Sequence, residues 1–174
     1  MIYVAVAAGF LIAAVFLASA FSKIRSKRQF ELFTASAVEL GLPSFVPSRL
    51  GAAAIVAMEA AVSPLLLLLP VVGFCLAVAL LAVFITGIVR VHRAGEKVAC
   101  RCFGGDSQTP LGPRHVVRNA LLIAVALAGA LTAFSSAESV HPAILIAAAG
   151  AGLIGSVVFI LFDDISDLFA MRRL

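Results

Sequence analysis

Charged residues are scarce in this chain: they make up 13% of its 174 residues, where a soluble domain carries about 25%. The apolar fraction is 63% and the mean hydropathy is +1.14, which together exclude an ordinary soluble domain. No stretch alternates apolar and polar residues as a membrane-barrel strand does. Internal repeats, low-complexity linkers and a composition shift that would mark a second domain are also missing. What remains is a single all-α domain over residues 1–174, an integral membrane helical bundle in contact with the lipid bilayer.

The few charges punctuate the chain and count its spans. Residues 2–21 carry none and reach about 30 Å as a helix, enough to cross a bilayer. Residues 50–89 hold Glu59 as their only charge. That run is too long for one span, and Pro70 and Gly73 offer a break, so it divides into two helices joined by a short turn. Residues 116–134 and 142–162 bring the expected total to five. The small residues of LASA resemble a signal-peptide cleavage site, but no basic residue precedes the first apolar run and KIRSKR follows it, so an uncleaved span is expected.

Basic residues fix the expected orientation. Lys23, Arg25, Lys27, Arg28 and Arg49 lie between spans one and two. Arg90, Arg93, Lys97, Arg101 and Arg114 lie between three and four, Arg118 stands at the mouth of span four, and Arg172 and Arg173 close the chain. Under a five-span count all 13 fall on one side. The positive-inside rule then puts both long loops and the C-terminus in the cytoplasm and the N-terminus outside, in a multi-pass protein of the cytoplasmic membrane. The net charge of +4 is thereby a statement about topology, and no nucleic-acid-binding patch is read from it.

Within the first loop, Phe30, Phe33, Ala37 and Leu40 recur at helical spacing, and Gly41 followed by Pro43 is a helix stop. An amphipathic helix at the interface fits, as does a basic loop that only sets topology. The tail DDISDLFAMRRL suits a short interfacial helix, and His141-Pro142 opens the last span.

Three cysteines are present, and they differ in setting. Cys75 lies in the apolar start of span three, where a thiol is expected to be buried as a small hydrophobe. Cys100 and Cys102 lie in a polar loop, in ACRCFGGD, where packing does not explain them. Arg101 between them, with Lys97 nearby, favours thiolate over thiol. A disulfide across one residue closes a small, strained and easily reduced ring, which suits exchange with another dithiol better than a structural staple. Gly104 and Gly105 allow a tight turn beside the sulfurs. A metal site built from His92, Cys100, Cys102 and His115 is the competing chemistry, although this spacing is no common zinc pattern, and an inert loop pair is the third possibility.

Glu59 is the other outlier. A carboxylate within a span is costly and faces the bundle interior or a cavity. It is a candidate to hold a proton, to pair with an arginine, or to bind a polar head such as a quinone carbonyl. A protonated glutamate bonded to a neighbouring helix, or to Ser63 one turn along, is the structural alternative. Pro64 is expected to bend the same helix and free a backbone carbonyl near that depth.

In order, FLASAFSK, ELGLP, AMEAAVSPLLLLL, CRCFG and HVVRNALL resemble the MauE branch of the DoxX-like membrane proteins, whose cysteine motif is usually CGCFG. The likeness runs from about residue 10 to residue 125, and its most specific part is the cysteine motif with the following Arg118-Asn119. It implies a four-helix core with an added C-terminal span. It also implies thiol–disulfide chemistry with a thioredoxin-like partner: MauE proteins are associated with maturation of the disulfide-rich small subunit of methylamine dehydrogenase. The related DoxX and DoxD proteins are linked to thiol homeostasis and quinone-coupled sulfur oxidation. Arg101 departs from the usual middle glycine and alters the charge beside the sulfurs.

The expected function is therefore a membrane thiol–disulfide redox protein whose Cys100/Cys102 dithiol exchanges with a thioredoxin-fold partner. Arg101, Glu59 and Arg118 act in support, and a quinone is the cofactor the resemblance suggests. The alternative from another class is a non-enzymatic membrane scaffold or transport subunit. One tension stands: disulfide maturation of exported proteins occurs outside, whereas the charge rule puts CRCFG inside.

Overall fold

The computed structural model describes residues 1–95, 113–133 and 141–161. Six helices fill them in the order α1 (Ile2–Ile24), α2 (Lys27–Glu39), α3 (Ser48–Leu68), α4 (Pro70–Arg93), α5 (Pro113–Ala133) and α6 (Pro142–Ile160). All but α2 are long and apolar enough to cross a membrane, so the expected five-span all-α bundle stands.

The break inside the forty-residue apolar run is a single residue. Leu69, in a non-helical conformation (φ −139°, ψ 73°), separates α3 from α4, and Pro70 takes the first position of α4, where its missing N–H has no partner to lose. Pro64 lies inside α3, which continues past it to Leu68.

α2 is a helix with both its signals in place. Ser26 caps its start by accepting from the Gln29 N–H at 3.2 Å. At its end the Gly41 N–H bonds the Val38 carbonyl and the Leu42 N–H reaches back to Ala37, the two-bond Schellman closure. That closure needs a left-handed residue after the last helical one, and Gly41 supplies it at φ 106°. The helix does more than lie on the interface: Phe33 joins Ala20, Ala52 and Val56 in a core cluster at the bundle's end.

The main core runs between the spans. Ile12, Val15 and Phe16 of α1 meet Val62 and Leu66 of α3, Phe74, Ala77 and Leu81 of α4, and Leu122 and Ala126 of α5. α6 stands apart, packed on α1 with only Gly152 and Ser156 buried. A Cβ at Gly152 would collide with the Ala7 carbonyl oxygen, so small residues set the distance between these helices.

Several sequence expectations are adjusted. α5 starts at Pro113 rather than 116, and α1 continues past residue 21 to Ile24, carrying Lys23 inside the bundle. Cys75 is exposed on the outer surface of α4, not buried, because the inward face there is formed by Gly73, Phe74 and Ala77. The tail from 162 onward, and the cysteine pair with Arg101, lie outside the described residues.

A buried charged cluster at one end of the bundle

Three helices bring charge to one point. On α1, Ser19 and Lys23 sit one turn apart and face inward. α3 contributes Glu59, with no exposed surface at all, and Lys23 is only 1% exposed. The Lys23 ammonium lies 2.8 Å from each Glu59 carboxylate oxygen and donates to Ser19 Oγ at 2.6 Å. An ammonium has three N–H donors, and here three acceptors meet them. Ser19 Oγ in turn points toward Glu59 Oε1 at 3.4 Å, and Ser22 Oγ donates to the Ser19 carbonyl at 2.7 Å.

Aromatic rings close the pair off. Lys23 Nζ stands 4.9 Å from the centroid of the Phe33 ring of α2 and 5.8 Å from that of Phe84 on α4. Both distances lie within reach of a ring's negative face, so the rings seal the cation from water while still attracting it. α2 is therefore the roof of this site, with Phe33 held by its packing on Ala20, Ala52 and Val56.

α5 supplies the remaining wall. His115, Arg118, Asn119 and Leu122 follow the spacing of one helix face, and all are buried. Arg118 and Asn119 line a cavity together with Ser19, Glu59, Phe16 and Phe84. Its volume is about 20 Å³, room for one water molecule. A quinone ring is far larger, so the space beside Glu59 does not fit that cofactor.

Charges this deep must be paired, since the lone ions carry a desolvation cost of several kcal/mol each. The arrangement meets that demand with a lysine that the sequence presents as one of several topology-setting cations. Its signal was present in SAFSK: a lysine four residues after Ser19, still within reach of the apolar run. The register that sets α1 against α3 was not readable, and without it Glu59 had no identifiable partner.

Of the residues singled out from sequence, Glu59 and Arg118 come together at the cavity. Ser63 is not Glu59's partner; its hydroxyl donates instead to the Ala13 carbonyl at 3.1 Å. Cys100, Arg101 and Cys102 fall outside the described residues. The chain leaves α4 and enters α5 at the end of the bundle where the charged cluster lies. Among the described residues no group of His, Cys, Asp and Glu is arranged to hold a metal ion.

No curated protein and no solved structure matches the chain. A family model does match, that of the methylamine utilisation protein MauE, over residues 1–132, which takes in α1 to α4 and nearly all of α5 and leaves α6 beyond it. The chain belongs to the MauE family.

Proposed function

We propose that this protein is a thiol–disulfide exchange protein of the cytoplasmic membrane, working through Cys100 and Cys102 on a thioredoxin-fold partner. The observation that carries the reading is the position of the charged cluster. The sequence interval holding both cysteines begins where α4 ends and finishes where α5 starts, and within two turns of that start α5 brings Arg118 to the cavity it shares with Glu59. Membership of the MauE family supports the same reading.

In the exchange, one cysteine thiolate attacks a sulfur of the partner's disulfide. That S–S bond breaks, a mixed disulfide forms, and the released partner thiolate takes a proton. The second cysteine then attacks the mixed disulfide, closing the Cys100–Cys102 bond and releasing the partner as a dithiol. Two electrons pass from this protein to its partner, and the reverse sequence returns them. Arg101 favours the thiolate needed for attack. Glu59 and Arg118 are positioning residues that hold the middle of α3 and the start of α5 beside α1.

Alkylation of membranes with a mass-shifting maleimide tests the proposal. After mild oxidation only Cys75 is expected to react, and reductant should restore Cys100 and Cys102 together. If both loop cysteines stay reactive after oxidation, they do not cycle as a dithiol and the reading fails.

A further inference from the structure

A second cavity, of about 410 Å³, is lined by the same Phe33 and Phe84 rings that cover Lys23. Its size is that of a small-molecule site rather than a packing void. Phe33, Leu40, Ile55, Val83 and Phe84 give it apolar walls, and Arg90 stands at one end. Among the described residues nothing forms a hydrogen bond or ion pair with the Arg90 guanidinium.

Depth in the membrane gives this layout its meaning. Arg90 lies about 30 Å of helix rise from Pro70, one hydrocarbon thickness away, which puts it at headgroup level. Val83 lies about 10 Å deeper, within the acyl region. The cavity therefore carries a cation where phosphates lie and apolar walls where acyl chains lie. Val83 and Thr86 are exposed on its rim, so the opening faces the bilayer. The same end of the bundle bears Arg25, Lys27, Arg28 and Arg93, with Arg49 paired to Glu31 and Glu39 the other carboxylate on α2, a net positive field that attracts anionic lipid.

The walls are built by close approaches. A Cβ at Gly87 would meet the Leu40 carbonyl oxygen at 3.1 Å, and one at Gly41 would stand 2.6 Å from Arg90 Nη1. Two glycines thus let the end of α2 close against α4 while the guanidinium rests over the turn. We propose that this cavity is a binding site for an anionic phospholipid, with one acyl chain between α2, α3 and α4 and the phosphate on Arg90.

Native mass spectrometry of the full chain in neutral detergent tests this, titrating phosphatidylglycerol against phosphatidylcholine of identical acyl chains. Wild type should retain phosphatidylglycerol preferentially. Arg90→Gln should weaken that binding about fivefold, the worth of one surface-level cation, and leave phosphatidylcholine unaffected. Arg93→Gln removes the same charge outside the cavity and should change little. Val83→Trp, a substitution at an exposed position that obstructs the opening, should weaken both lipids. Equal losses for Arg90→Gln and Arg93→Gln would reduce the effect to general electrostatics and overturn the site. So would full binding by Val83→Trp. Complete displacement of phosphatidylglycerol by millimolar inorganic phosphate would show a free-anion site instead and overturn the lipid assignment.

Discussion

Replacing Lys23 with methionine isolates the energetics of the buried pair. Methionine keeps nearly the same length and can still pack against the Phe33 and Phe84 rings, so the substitution removes charge and little volume. What it leaves is Glu59, wholly buried, with its nearest cation gone. Breaking a buried pair from one side costs about 3–5 kcal/mol, and insertion of a lone carboxylate at mid-span costs about 2.5–3.5 kcal/mol. A loss of about 3 kcal/mol is therefore expected for Lys23→Met. Glu59→Leu should cost a similar amount, because it takes the carboxylate counter-charge from the buried ammonium. The double mutant should lie within about 1 kcal/mol of the parent, since an apolar pair of similar volume needs no solvation. Unfolding by SDS in mixed micelles, followed by far-UV circular dichroism, gives all three values and the coupling between the sites. Strictly additive losses, or a Lys23→Met variant as stable as wild type, would refute the idea that this pair joins α1 to α3.

Other outcomes follow from the packing. Gly152→Leu should detach α6 from α1 while leaving α1 to α5 assembled, visible as lost cross-linking between cysteines placed on α1 and α6 with unchanged helix content. In a cysteine-free background, an impermeant maleimide applied to intact cells should label a cysteine at His141 and fail at Arg28; the opposite pattern would invert the orientation that the basic residues predict. Cys75→Ser should leave thiol exchange and stability unchanged, because the side chain faces outward; arrest of exchange in this variant would bring Cys75 into the redox chemistry.

The helices were legible because hydropathy and punctuation sufficed. Pro70 marked the break between α3 and α4, and Gly41 with Pro43 marked the end of α2. Glu59 was legible as an inward-facing carboxylate, since no lipid-facing position tolerates one. Lys23 was not. Its place in a basic run gave it a sufficient explanation as a topology signal, and only the pairing of α1 with α3 shows that it turns inward while Arg25, Lys27 and Arg28 remain exposed. Cys75 failed for a related reason: an apolar neighbourhood in a membrane helix does not distinguish the core side from the lipid side. Arg118 stood out by its position at the start of a span, but the cavity it shares with Glu59 depends on the register of α5 against α1 and α3.

The central claim is tested most directly by trapping the mixed disulfide. Removing the resolving cysteine arrests exchange with the partner covalently attached, and removing the attacking one prevents attachment. Gly104-Gly105 beside Cys102 should make it the more accessible attacker. Cys100→Ser is therefore expected to accumulate a reductant-sensitive adduct with a thioredoxin-fold protein, identifiable by mass spectrometry, while Cys102→Ser forms none. The absence of any adduct in both variants, in cells where the wild-type protein is active, would contradict thiol exchange as its function.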